Sequence, residues 1–388
     1  MGRHRMTTFQ TEAKRKIVFL TGTRADYGKL SLMIKTFDAR EDYWVEVVAT
    51  GMHLLSRYGF TVNEIHKAGI KNVFPIFNQD SSTSEKMDVV LANTLIQLSH
   101  YLNERRPDLL IVHGDRVEAL AGALAGSLNG IRVAHFEGGE VSGTIDESMR
   151  HAISKMSHIH FVANQESQKR LLQLGETKES VFIVGSAEID VMQSEHLPSI
   201  DAAKAYYDVD FDDYAILIYH PVTTELSKLE YKTNQLIAAL QDSGDNFIVI
   251  RPNNDIGSAI IDARMLSFAK ENPTRVRLFS SLQFEKYLTL LKHARYIIGN
   301  SSSGIRESQV FGVPCINVGS RQNNRCHSAG IFNVVEDHSA VLKSINALPK
   351  HVEVSTSFGH GNTMENVLNI FDGDAMWDIQ LQKVFQDM

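Results

Sequence analysis

Residues 113–151, HGDRVEALAGALAGSLNGIRVAHFEGGEVSGTIDESMRH, hold the densest set of groups able to move protons. Two apolar runs, 109–112 and 131–136, have the length and the glycine or proline boundaries of buried parallel strands. Acid follows each of them: Asp115 beside Arg116 after the first, Glu137 and Glu140 after the second. Ligands of open α/β sheets sit beyond the carboxyl ends of the strands, so Asp115 and Glu137 should meet at one crevice. Asp146 and Glu147 open the helix that follows. One acid after a strand is as readily a helix cap. Three carboxylates and a His–Asp–Arg cluster on adjacent strand ends predict more than caps. Asp115, Glu137 and Asp146 are the candidate acid/base groups.

A second set of residues points to an anion. Asn300-Ser301-Ser302-Ser303-Gly304 lies between an apolar run and a helical pattern starting near Ile305. Serine hydroxyls and the exposed amides of a helix start predict a phosphate cradle, helped by the macrodipole, although a serine-rich cap is the plainer alternative. The stretch is neither a Walker loop nor G-x-G-x-x-G. Glu307, in the opening turn, could accept two ribose hydroxyls or merely complement the helix dipole. Arg24 in TGTR and Arg321 after VGS are forked cations suited to phosphate, yet each alone reads equally as a surface residue. His220, in HPVTT at a strand end, suits a phosphate donor, an acid/base or a satisfied structural histidine. Asn253, in RPNND, suits a base or sugar contact or a simple turn.

Holding these groups requires strands and helices in alternation. Strands are expected at 16–21, 45–50, 72–77, 109–112, 131–136, 159–163 and 181–184, with a helix from the 23–28 turn to about 39 and a long one over 83–104. Repeated βα units imply a doubly wound parallel sheet closing near residue 185. Residues 186–202 read as a polar linker. The alternation restarts with strands at 215–219, 247–250, 275–279, 295–298 and 314–318 and helices at 225–241, 258–270 and 284–293. The expected class is α/β, with two Rossmann-like domains, 16–185 and 203–362, facing a cleft. Residues 363–388 show two helical patterns expected to pack back across the domain boundary. Residues 1–15 are expected to be a disordered segment.

Bulk properties exclude several classes. The chain of 388 residues is 43% hydrophobic and 22% charged, as soluble globular proteins are. A net charge of −7 argues against nucleic-acid or anionic-membrane partners. The basic run 14–16 precedes too short an apolar stretch for a signal peptide, and no stretch approaches a membrane span, so a cytoplasmic location is expected. Cys315 and Cys326 are too few for a disulfide framework or zinc cluster, and the sixteen histidines form no metal pair. No metal and no cofactor are expected. A G-x-S-x-G elbow is also missing.

Taken together, TGTRADYG, HGDR, HFEGGEVSGTIDES, HPVTT, PNND and GNSSSGIRE resemble the hydrolysing UDP-N-acetylglucosamine 2-epimerases of sialic-acid biosynthesis, in order and from residue 16 to about 369. The EGGExSGTID stretch is similar to that branch; non-hydrolysing relatives carry E-A-G instead. The resemblance implies a glycosyltransferase-B-like fold, UDP in the cleft, no tightly bound NAD, and a homodimer or homotetramer. It implies anti elimination of UDP from UDP-N-acetylglucosamine, then hydration of the glucal to N-acetylmannosamine. Asp115, Glu137 and Asp146 fall on its catalytic carboxylates. Arg24, Arg116, His220, Asn253, Ser301, Ser302, Glu307 and Arg321 fall on UDP-binding positions, with the Ser303 amide beside them. His220 and Arg116 also stand next to the chemistry. Gly28 replaces a serine of some relatives. The rivals are a related 2-epimerase acting on UDP-2,4-diacetamido-2,4,6-trideoxyglucose for legionaminic acid, a transferase of the same fold, and a non-catalytic UDP-sugar-binding protein.

Overall fold

The computed structural model describes residues 14–80, 86–195, 197–323, 325 and 328–387. Most of the N-terminal segment expected to be disordered, the start of the helix expected over 83–104, and Cys326 lie outside the described residues. Arg15, placed in that N-terminal segment by sequence, instead begins a strand.

The first sheet is built from β1 (Arg15–Thr21), β2 (Tyr43–Ala49), β3 (Val73–Pro75), β4 (Leu109–His113), β5 (Arg132–Phe136), β6 (Ile159–Val162) and β7 (Val181–Ile183). The second contains β8 (Ala215–Ile218), β9 (Phe247–Ile250), β10 (Val276–Phe279), β11 (Tyr296–Gly299), β12 (Cys315–Val318) and β13 (Ile331–Val334). Their orders are 3-2-1-4-5-6-7 and 10-9-8-11-12-13, and every recorded pairing is parallel. Central strands are covered on both faces, which is why Val18, Phe19, Leu110, Ile111, Ile216 and Leu217 form unbroken apolar runs with no exposed surface. Each sheet reverses its direction of winding once, between β1 and β4 and between β8 and β11. Those switch points open crevices at the carboxyl ends of the strands.

Residues 186–202 are more than a polar linker. They carry the helices Ala187–Gln193 and Ile200–Tyr206, and Ala187, Glu188, Ile189, Val191 and Met192 are buried. The segment reads as polar because its charges meet partners inside the molecule. Strand β13 and the helix His338–Asn346 extend the second sheet past the last strand expected from sequence. Beyond residue 362 one helix forms, Thr363–Phe371, and a turn around Trp377 replaces the second helical pattern. Phe371 packs against Phe37, Tyr43 and Phe161 of the first unit, and Trp377 donates to the Phe371 carbonyl. Among the described residues no helix is long and apolar enough to cross a membrane.

The two sheet units touch closely. A Cβ on Gly28, in the helix Arg24–Asp38, would stand 2.4 Å from the Phe284 Cβ of the second unit. The position read as a lost serine hydroxyl is a point of helix contact that excludes a side chain.

Candidate active site

All twelve residues singled out from sequence line one cleft of about 290 Å³ between the sheets: Arg24, Asp115, Arg116, Glu137, Asp146, His220, Asn253, Ser301, Ser302, Ser303, Glu307 and Arg321. They come together because each follows, or caps the helix after, the carboxyl end of a parallel strand. Thr23 caps the helix after β1, its hydroxyl accepting from the Asp26 amide at 3.1 Å, and this sets the direction of Arg24 and Asp26. Thr144 does the same for the helix Ile145–Met156, placing Asp146 in its first turn.

Glu137 occupies the innermost position. Its backbone is left-handed, with φ of 67°, a conformation unusual for a residue with a side chain and one found at functional sites. Its Oε1 lies 2.8 Å from Lys29 Nζ, 3.1 Å from an Arg306 nitrogen and 3.5 Å from His113 Nε2. Burial opposes its charge, but Arg306, Lys29 and His113 outweigh burial and hold the carboxyl well below the usual range. His113 in turn contacts Asp26 at 2.9 Å. Burial disfavours its charge as well, yet Glu137 and Asp26 push its pKa up to about 10. Glu137 is therefore a fixed anion in a cage of cations.

The other two carboxylates differ in their surroundings. Asp115 pairs with the fully buried Arg150, and that guanidinium, with Arg325, overcomes burial and keeps Asp115 low. Asp146 is pushed above the ordinary range by burial and then by the Asp115 charge, although Arg321 lies 3.0 Å away. One acid is held ionised and the other has its proton affinity raised, the pattern expected of groups with different roles.

On the second unit, His220 is locked by two hydrogen bonds with Asn300: its amide donates to the Asn300 side chain at 2.7 Å and its carbonyl accepts at 2.8 Å. The Asn253 amide donates to His220 Nδ1 at 3.1 Å, so the neutral ring carries its proton on Nε2. Burial, then the charges of Arg321 and Arg116, hold its pKa well below normal. His220 is thus a neutral donor at neutral pH. The serine loop differs from expectation: the helix breaks at Arg306 into the single turns Ser302–Ile305 and Glu307–Val310. So short a helix has little macrodipole, and the Ser301 hydroxyl already accepts from the Ser303 amide. Any anion contact here rests on local hydroxyls and amides. Burial raises the Glu307 pKa, Lys29 pulls the other way and Glu188 adds to burial; among the described residues the Glu307 Oε2 has no hydrogen-bond partner.

Arg24 bonds Ser281 at 2.7 Å and pairs with Glu64, and Arg116 bonds Asn254 at 2.8 Å, so both span the two units. Among the described residues no group of His, Cys, Asp or Glu is arranged to hold a metal.

A family profile described as UDP-N-acetylglucosamine 2-epimerase matches residues 35–372. The chain is 39% identical over 380 residues, 96% of its length and 99% of the relative's, to a UDP-N-acetylglucosamine 2-epimerase of Neisseria meningitidis. The chain belongs to the UDP-N-acetylglucosamine 2-epimerase family. It is also 36% identical, over 90% of its length and 94% of the relative's, to a hydrolysing UDP-N,N'-diacetylbacillosamine 2-epimerase of Legionella pneumophila. Among solved structures, a Neisseria meningitidis UDP-GlcNAc 2-epimerase bound to UDP-GlcNAc superposes with a TM-score of 0.76 over 92% of this chain and 99% of its own. At 17% identity that likeness shows the fold alone. It supports the expected two-domain, glycosyltransferase-B-like architecture.

Lys29, which lines the cleft, and Arg306, which pairs with the cleft residue Glu137, are not evident from sequence. Lys29 lies three residues after Asp26, hence on the same helix face, which was the available signal. Arg306, which the sequence shows only as the arginine of GNSSSGIRE, is fully buried and joins Glu137, Glu140, Glu188 and Ser186. Its partners lie far away in sequence, and no local spacing announces them.

Proposed function

We propose that this chain is a hydrolysing 2-epimerase that converts UDP-N-acetylglucosamine to N-acetylmannosamine and UDP by elimination and hydration. The observation that carries this reading is the cluster of Asp115, Glu137 and Asp146 facing Arg24, His220, the Ser301–Ser303 loop and Arg321 across one cleft. The 36% identity to a relative named as hydrolysing supports the choice of water as acceptor.

In the first half-reaction a carboxylate takes the carbon-2 proton. The C–H electron pair forms the C1–C2 double bond, and the C1–O bond electrons leave with UDP. Asp146 is the better base of the candidates, since a raised pKa increases proton affinity in the ionised form. Glu137, caged by Lys29, His113 and Arg306, remains an anion and stabilises positive charge developing at carbon 1. Neutral His220 donates through Nε2, and Arg24 and Arg321 balance charge on the departing diphosphate. In the second half-reaction the C1–C2 π pair takes a solvent-derived proton at carbon 2, on the face opposite to that abstracted, a water oxygen bonds to carbon 1 and passes one proton to Asp115, and Asp146 and Asp115 return their protons to solvent. UDP contacts come from Arg24, Arg116, His220, Asn253, Ser301, Ser302, Ser303, Glu307 and Arg321, with Glu307 Oε2 available to ribose hydroxyls.

The Legionella pneumophila relationship favours a second reading, the same chemistry on UDP-2,4-diacetamido-2,4,6-trideoxyglucose. Separating products after incubation with each sugar nucleotide tests both. Free N-acetylmannosamine with equimolar UDP supports the first reading; the free diacetamido sugar alone supports the second. A UDP-linked epimer would overturn hydrolysis.

A further inference from the structure

Among the described residues the Arg321 side chain has two hydrogen-bond partners. One guanidinium nitrogen donates to the Asn300 carbonyl at 3.2 Å, directly beside the Ser301–Ser303 loop, and the other to Asp146 Oδ2 at 3.0 Å. The first anchors the head on the second unit; the second reaches across the cleft. Both side chains keep some solvent contact, at 13% and 20% exposure, so the pair can exchange partners without unpacking a core.

The backbone around the pair is tied independently of it. The Gly143 amide donates to the Arg321 carbonyl at 3.0 Å. A Cβ on Gly143 would lie 2.1 Å from the Ser320 carbonyl oxygen, so the loops meet at a distance only glycine permits. Breaking the Asp146–Arg321 ion pair therefore leaves the two loops together.

A nucleoside diphosphate held by the serine loop would want the same guanidinium fork, which matches phosphate oxygens as well as carboxylate. We propose that Asp146 and the diphosphate compete for Arg321, so that nucleotide binding itself releases Asp146 to act on the sugar. This rests on the function proposed above. It makes the base available when the leaving group is in place and re-engages it after UDP departs. Asp115, paired with Arg150 instead, has no part in the exchange.

The consequence separates this device from an ordinary active-site carboxylate. Removing the competitor should strengthen binding of a product the enzyme must release. UDP binding is measured by isothermal titration calorimetry on the full chain at fixed salt, for wild type, Asp146→Asn, Asp115→Asn, Arg321→Gln and the Asp146→Asn/Arg321→Gln double variant. Asp146→Ser serves as a second removal of the charge, and each variant is checked by thermal melting. The expected result is UDP binding roughly fivefold tighter in Asp146→Asn, the scale of a part-exposed ion pair, with the gain lost in the Arg321→Gln background. Unchanged or weaker binding in folded Asp146→Asn and Asp146→Ser would overturn the competition. An equal gain in Asp115→Asn, or one that persists without Arg321, would also overturn it, since a general charge effect would then suffice. If wild type binds no UDP, the proposed function itself fails.

Discussion

Asp146 and Glu137 stand in one cleft as the same functional group, and their surroundings give them opposite tendencies. Glu137 is paired with Lys29, His113, Arg306 and Arg325 and stays ionised; Asp146 is pushed up by burial and by the Asp115 charge, which Arg321 opposes. The account therefore predicts different failures for their amides. Asp146→Asn should abolish exchange of the carbon-2 proton with solvent. Glu137→Gln should slow UDP release by about 100-fold or more while leaving detectable exchange. Full exchange in Asp146→Asn, followed by NMR, would transfer the base role elsewhere. At this scale much of the site was legible. Asp115 and Arg321 announce themselves because glycine or serine closes an apolar run just before them, and Glu137 and His220 because glycine or proline follows them directly at the end of one. Lys29 and Arg306 were not legible as site residues, since a basic residue inside a helix pattern is ordinarily solvated, and only tertiary pairing over more than a hundred residues makes these two internal.

The elements matter as brackets for those side chains. The helix Arg24–Asp38 brings Arg24, Asp26 and Lys29 to the cleft from its opening turns, and Gly28 lets it approach Phe284 of the second unit. Gly28→Ala should therefore displace that contact and lower stability by about 1–3 kcal/mol, the scale of overpacking, with a measurable loss of turnover. Thermal melting reads the first effect, and a melting temperature equal to wild type would show that the helices tolerate the methyl group. Long strands and their connecting helices were readable from apolar runs alone. The short pieces were not. Ala187–Gln193 hides behind Glu188 and Asp190, whose partners are Arg306 and the amides of Thr363 and Met364. The serine loop reads as leading into a single helix from about Ile305, because nothing in GIRES reveals the break at Arg306.

Across the whole molecule, buried histidines set the response to acid. Burial lowers His53 to about 4 and His135 to about 3. The unfolded chain takes protons on these groups near 6.5 while the folded chain refuses them, so stability falls as pH drops from about 6.5 toward 4. Each group contributes on the order of 3 kcal/mol over that window. Glu176 adds in the same direction at lower pH. Burial raises it, but His160 and Lys383 bring its folded pKa down to about 2, so its contribution is lost from 4.5 downward. His113 has the opposite sign: its folded pKa of about 10 contributes stability below 6.5 that is lost as pH rises through about 10. Melting temperatures taken at constant ionic strength should be highest near neutrality and drop steeply below pH 6.5. A rising melting temperature between pH 7 and 5 would contradict this balance.

The central claim is that one cleft performs elimination and then hydration. It is tested most directly by proton NMR of the protein with UDP-N-acetylglucosamine in deuterated water. Free N-acetylmannosamine carrying deuterium at carbon 2 is expected, formed together with an equimolar amount of UDP. Product retaining the original proton at carbon 2, or deuterium entering a sugar still joined to UDP as the end product, would contradict it.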